Sequence, residues 1–270
     1  MFEVLSVSSE LDGQLAIIEF DHGKANEVGT AVLRDLEKLP AWFDETGAVA
    51  AITWSQRKSR RGTPIFVAGA NVSERGDWDD ARVKQHVRWQ RSVLGALKAA
   101  PVFHIAVVHG VALGWGTEYM LCCDWRIATS TASFGLPETG LGILPGAGGS
   151  SELWAHIGVA QTLRLGMTGE RIPAEEALRI GLVQELCAEL PAGLERARAL
   201  AERVTRNSPT ALAAFKRAVL GSVGVAPAER LENEAAAYEL CVDTGQAAIG
   251  RAAFASIRAG ERPDWGSRSR

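Results

Sequence analysis

Three glycine-rich stretches hold the residues of this chain that could do chemistry. The first is Phe66-Val67-Ala68-Gly69-Ala70-Asn71. The second runs from Gly110 through Gly114, Trp115, Gly116 and Thr117 to Glu118, and the third from Phe134 through Glu138 to Gly149. Glycine is needed where a backbone takes unusual dihedrals or where a ligand must approach a peptide N–H closely. The first stretch follows an apolar, strand-like run, and the second lies between such a run and an apolar helix-like one at 119–123. Peptide N–H groups at a strand end and a helix start are free to donate, and two that converge would stabilise the developing oxyanion of thioester enolate chemistry. The third stretch is too glycine-rich for a helix and too apolar for a linker, so a loop wall around a ligand is expected there, with Glu138 in its middle. Taken singly, a carboxylate beside a loop is more often a solvated side chain or a cap.

Other chemistries lack their residues. There is no Walker lysine and no G-x-S-x-G elbow, and Gly114-x-Gly116 misses the third glycine of a dinucleotide fingerprint. His104 and His109 flank a strand at an odd spacing that sends them to opposite faces, so they read as structural histidines and no metal is expected. Cys122, Cys123, Cys187 and Cys241 form no C-x-x-C pair and no zinc-finger spacing, and read as buried thiols.

The elements that must position these residues alternate between strand and helix. An N-terminal hairpin is expected, turning at Asp12-Gly13 before Leu15 to Ile18. Val32, Leu33, Leu36 and Leu39 follow Thr30 at helical spacing, and the helix is expected to end at Pro40. Apolar runs at 49–54, 65–68 and 102–108 predict buried strands, and 79–99 predicts an amphipathic helix. The order implies an α/β domain. Beyond about residue 190 the chain turns alanine-, leucine- and arginine-rich with helical periodicity. This predicts a core over 1–193 and a helical C-terminal region over 194–270. No internal repeat is visible.

With 47% hydrophobic and 23% charged residues the chain has an ordinary globular composition, and its 270 residues suffice for a sizeable core. A net charge of −3 gives no broad basic surface, so no nucleic-acid partner is expected. No run of about 18 uncharged apolar residues would cross a membrane. The first twenty residues lack a basic stretch followed by an apolar one, so a cytoplasmic location is expected.

Together the three stretches resemble the crotonase (enoyl-CoA hydratase/isomerase) superfamily in order, spacing and wording. Ala68-Gly69-Ala70 resembles its first oxyanion segment, His109 to Glu118 its second, and Glu138 with 142–149 its third. Thr168-Gly169-Glu170, Ala174-Glu175-Glu176-Ala177, Gly181-Leu182-Val183 and Asn207-Ser208-Pro209 with Lys216 extend the likeness over nearly the whole chain. The resemblance implies a crotonase-like spiral of ββα units with a helical region that packs against neighbouring subunits, as a homotrimer or homohexamer. It implies an acyl-CoA thioester as partner, coenzyme A as part of the substrate, and no tightly bound cofactor. It assigns the oxyanion donors to the N–H groups of Ala68 and Trp115, and substrate or coenzyme contacts to Lys24, Ala25, Gly69, Ala70, Asn71 and Gly114. Glu118 and Glu138 match the two glutamates of hydratases, which are hydro-lyases. An enoyl-CoA isomerase and a non-catalytic acyl-CoA-binding protein stand as alternatives.

Two positions depart from the family. Trp115 replaces a glycine at the second donor, and still supplies an N–H. Its indole either packs away as a structural residue or narrows the acyl site. Asn71 stands where an aspartate is usual, keeping hydrogen bonding and losing charge.

Overall fold

A computed structural model describes residues 2–269. The expected hairpin pairs β1 (Ser6–Glu10) with β2 (Leu15–Glu19) antiparallel. Helix α1 (Thr30–Thr46) follows, then β3 (Ala50–Trp54), β4 (Ile65–Val67), a 3₁₀ turn (Val72–Arg75) and α2 (Asp80–Ala99). Next come β5 (Phe103–Val108), β6 (Val111–Leu113) and α3 (Trp115–Leu121). A third such passage contains β7 (Trp125–Thr129), β8 (Ser133–Gly135), a 3₁₀ turn (Pro137–Leu141) and α4 (Leu153–Thr168). After it lie β9 (Ile172–Pro173), α5 (Ala174–Arg179) and β10 (Glu185–Cys187).

The first strand of each passage joins a six-stranded sheet in the order β1-β2-β3-β5-β7-β10, and the second joins a four-stranded sheet in the order β4-β6-β8-β9. Each ββα turn therefore adds one strand to both sheets, and the chain winds as a spiral. Successive turns add strands in parallel, β3 to β5 to β7 in one sheet and β4 to β6 to β8 in the other. Parallel strands buried on both faces need apolar residues throughout, which accounts for Phe-His-Ile-Ala-Val-Val in β5.

Alternation along the strands divides the core. Ile52, Ile105, Val107 and Ile127 point to one side of the larger sheet, where they meet Ala197 and Ala201. Ala51, Ala106, Val108 and Ala128 point to the other, into a cluster holding Phe20, Phe66, Tyr119 and Phe134. His104 lies buried on that second side, its Nε2 2.7 Å from Thr53 Oγ1, which is itself 2.9 Å from the Tyr119 hydroxyl. Burial pushes His104 down to about 3, so it is a neutral structural residue.

Three expectations change. Helix α1 does not end at Pro40 but runs through it to Gly47, at φ 76°. Pro40 gives up one backbone hydrogen bond, but Phe43, one turn on, is fully buried on the same face as Leu36 and Leu39 and holds the helix together. Helix α3 starts at Trp115 rather than near 119, because Gly114 at φ 51° turns the chain directly from β6 into it. The boundary at 193/194 falls inside α6 (Leu190–Thr205), whose small residues Ala197 and Ala201 lie against the larger sheet. Helices α7 (Pro209–Gly221), α8 (Pro227–Asp243), α9 (Gln246–Ala252) and α10 (Phe254–Arg258) complete the chain.

One buried side chain joins the first turn of the spiral to the second. Asn26 is fully buried at φ 56°, a left-handed conformation that asparagine tolerates better than most residues. Its amide nitrogen donates to Phe66 C=O and Ser55 Oγ, at 2.7 and 2.8 Å, with Phe20 C=O at 3.2 Å, while its oxygen accepts the His22 N–H at 2.8 Å. Asn26→Ala leaves these groups buried without a partner, and is expected to cost about 3 kcal/mol. Urea unfolding of both proteins checks this; a loss under about 1 kcal/mol would show that water or a neighbour replaces the amide.

Candidate active site

The three glycine-rich stretches meet at a cavity of about 490 Å³. Ala70, Trp115, Glu118 and Glu138 line it, together with Val83 and Val87 of α2 and with Ile143, Leu144 and Gly146. Close backbone approach brings them together. A Cβ on Gly116 would stand 2.1 Å from the Val67 carbonyl oxygen, so the start of α3 touches the end of β4 only because residue 116 has no side chain. A Cβ on Gly114 would stand 2.4 Å from Glu138 Oε1, so the Glu138 carboxyl lies over bare backbone.

Glu118 sits in the first turn of α3 and is 4% exposed. The N–H groups of Ala147 and Gly149 donate to its Oε1 at 2.7 and 2.9 Å. Burial raises its pKa, and those two N–H groups and the charge of Arg91 partly offset the rise. With Oε1 held, Oε2 is the oxygen left for a ligand. Glu138, in the 3₁₀ turn after β8, is pushed up to about 7, first by burial and then by the charge of Glu118, against an opposing backbone hydrogen bond. Its Oε2 is buried and has no hydrogen-bond partner among the described residues. The loop that carries these contacts is only partly a buried wall: Ala147 and Gly149 are buried, whereas residues 139–144 are exposed.

Ala68 is not a free donor. Its N–H donates to the Ala25 carbonyl at 3.1 Å, which ties the segment after β4 to the loop before α1. Gly69, at φ 122°, then turns the chain, and its carbonyl accepts the Val28 N–H at 2.9 Å. The next peptide, that of Ala70, has no acceptor for its N–H among the described residues and borders the cavity. The N–H of Trp115, the first residue of α3, likewise has no acceptor among them. The unbonded pair is therefore Ala70 and Trp115. No local signal marks the shift: Ala70 bridges Val28 through the Gly69 carbonyl and the Asn71 N–H, which leaves its own N–H on the other side.

The other expected contacts divide. Gly114 lies against the Glu138 carboxyl without itself lining the cavity, its own N–H bonded to Gly135 C=O at 2.9 Å. Asn71 does not line it. The Asn71 side-chain oxygen caps the 3₁₀ turn by accepting the Glu74 N–H at 3.2 Å, a task aspartate or asparagine performs equally, and its N–H bonds Val28 C=O. Lys24 is exposed and Ala25 half-buried, both outside the cavity lining. The Trp115 ring packs as a structural residue, stacked on Tyr119 with centres 5.5 Å apart, and it also lines the cavity while only 2% exposed. His109 Nδ1 meets the hydroxyls of Thr129 and Thr131, and all four cysteines are free thiols, Cys122 and Cys123 buried as expected but Cys187 and Cys241 only half-buried. Among the described residues no three His, Cys, Asp or Glu side chains gather to hold a metal ion, and no helix is long and apolar enough to cross a membrane.

The spiral thus brings two carboxyls and two unbonded peptide N–H groups to one cavity, and known proteins share this fold. Residues 59–268 match the enoyl-CoA hydratase/isomerase family model. The chain belongs to that family. It is 34% identical over 263 residues to a probable enoyl-CoA hydratase of Rhizobium meliloti, covering 96% of this chain and 98% of that protein. It is 36% identical over 194 residues to the probable mitochondrial enoyl-CoA hydratase 2 of Arabidopsis thaliana, covering 72% of this chain and 64% of that longer protein. The crystal structure of an enoyl-CoA hydratase from Bacillus anthracis superposes with a TM-score of 0.87 at 32% identity, covering 97% of this chain and 98% of that one.

The raised Glu138 pKa has a consequence for stability. The folded chain holds this proton more tightly than the unfolded chain, so stability falls as pH rises from the ordinary 4.5 through about 7. Glu138→Gln removes the titration. Melting temperatures taken from pH 5 to pH 8 are expected to decline less in the variant, and identical slopes would contradict the assignment.

Proposed function

We propose that this protein is an enoyl-CoA hydratase, adding water syn and reversibly across the C2=C3 bond of a 2-enoyl-CoA thioester. The observation that carries the reading is that Glu118 and Glu138 share one cavity with two unbonded peptide N–H groups, those of Ala70 and Trp115. In this reading the thioester oxygen sits between the two N–H groups, which stabilise the enolate-like charge that develops there. A water between the carboxyls loses a proton to Glu118 as its oxygen attacks C3. Glu138 delivers its proton to C2. The proton left on Glu118 returns to Glu138 through solvent, and the reverse sequence dehydrates the product.

The electrostatics suit this division. A general acid needs a pKa raised toward working pH, and burial with the charge of Glu118 pushes Glu138 up to about 7. Glu118 is more deeply buried, yet two N–H donors and Arg91 favour its anion, as a base requires. The coenzyme is assigned to the side of the cavity near Lys24 and Ala25, the protein to the cytoplasm, and the chain to a trimer or a dimer of trimers. Exposed Phe215, Leu231, Tyr238 and Phe254 on α7, α8 and α10 offer an apolar surface for such assembly.

Loss of absorbance of the conjugated thioester of crotonyl-CoA tests the reading. Wild type is expected to consume it, and Glu118→Gln and Glu138→Gln are each expected to lower the rate about 10²- to 10⁴-fold. Near-full activity of Glu118→Gln on a 3-enoyl-CoA would identify an isomerase instead. Tight binding without turnover of any enoyl thioester would identify a non-catalytic binder. Trp115→Gly, by removing cavity wall, is expected to shift preference toward longer or branched acyl groups; an unchanged preference across such a series would assign the indole to packing alone.

A further inference from the structure

Most of the cavity away from the glutamates is apolar, as an acyl chain requires, with Ala70, Val83, Val87, Ile143 and Leu144 in its lining. Arg75 interrupts it. This residue ends the 3₁₀ turn that leads from Asn71, and its Nε and Nη2 are sealed from solvent with no hydrogen-bond partner among the described residues. Arg75 as a whole is half-buried, but those two donors are cut off from water and each lacks an acceptor unless something else supplies the oxygens.

Neighbouring acids accept no hydrogen bond from these two donors, although the charge of Glu74 acts on Arg75. Glu74, next in sequence, spends its Oε2 on the N–H of Thr30, 2.9 Å away, and so closes the start of α1. Glu118 gives Oε1 to Ala147 and Gly149. The charge that acts on Glu118 is that of Arg91, whereas Arg75 acts on His86, a buried ring in edge contact with Trp78 and Trp89. Arg75 lines the cavity together with Val83, Lys84 and Val87 of α2. The turn that carries it is fixed, since Asn71 caps it and Glu74 anchors it to α1. Exposed Lys84, Arg88 and Arg91 add positive charge along the same lining.

We propose that the acyl group this cavity accepts ends in a carboxylate, and that Arg75 is the residue that reads it. The proposal rests on the cavity being an acyl-CoA site, but not on which reaction occurs there. A planar guanidinium presents two parallel N–H groups to a carboxylate, and an apolar stretch between it and the glutamates spans the intervening methylenes. The same donors would also suit a phosphate of coenzyme A. Those phosphates are common to every coenzyme A thioester, so the two sources separate by experiment.

The test is calorimetric binding of two unreactive saturated thioesters of equal chain length, glutaryl-CoA and valeryl-CoA, with free coenzyme A as reference. Wild type is expected to bind glutaryl-CoA about tenfold or more tighter than valeryl-CoA. Arg75→Met is expected to abolish that preference while leaving the affinity for valeryl-CoA and coenzyme A unchanged, and Arg75→Lys to restore part of it. Equal wild-type affinities would overturn the proposal without any variant. A uniform loss across all three ligands in Arg75→Met would also overturn it, assigning Arg75 to a phosphate. Because binding needs no turnover, failure of the hydratase reading with crotonyl-CoA leaves this result standing, and the converse holds.

Discussion

Contact between two backbones sets the geometry of the whole site. The Val67 carbonyl, at the end of β4, occupies the space a side chain at position 116 would need. With glycine there, the first turn of α3 can press against the strand of the previous spiral turn. The unbonded N–H of Trp115 then borders the same cavity as that of Ala70, and Glu118 is carried to its wall one helical turn later. No side chain could create this arrangement. It depends on bulk that is missing, and the parallel register of β4 against β6 holds it in place.

Around that contact the protein keeps two carboxyls in a poorly solvated space and treats them differently. Both are raised by burial, but only Glu118 receives backbone donors from the loop after the 3₁₀ turn. Glu138 has instead the negative charge of Glu118 nearby, which adds to the rise that burial causes. Like charges that cannot both ionise freely are a common way to place an acid and a base in one site. Here the asymmetry comes from peptide groups rather than from cationic side chains in direct contact.

Much of this was legible in the residues because glycine and glutamate carry their reasons locally. Type and spacing single out Gly114, Gly116, Glu118 and Glu138, and the structure brings the two glutamates to one cavity while the two glycines allow the close contacts behind it. What stayed hidden depends on partners far along the chain. Whether Ala68 or Ala70 keeps a free N–H is decided by Ala25, more than forty residues earlier, whose carbonyl takes the Ala68 proton. Pro40 looked like a terminator because its own cost is local, while Phe43's burial is tertiary. The place of α6 on the larger sheet could not be read from its helical periodicity, since a surface helix shows the same pattern. The ββα repeat left no trace in sequence because each turn keeps the hydrogen-bond plan of its neighbours and none of their side chains. Arg75 gave no signal at all, since a lone arginine after a turn is ordinarily solvated.

The winding of the chain between two sheets bears on how the protein comes to be folded. Each strand of the larger sheet is followed by one of the smaller, so hydrogen-bonded neighbours such as Ile52 and Ile105 lie far apart in the chain. Apart from the N-terminal hairpin, almost no pairing is local, and chain entropy must be lost over long loops before any ladder repays it. Such a topology folds slowly and as a unit. The cavity draws its lining from segments of three successive turns, so no single turn contains it.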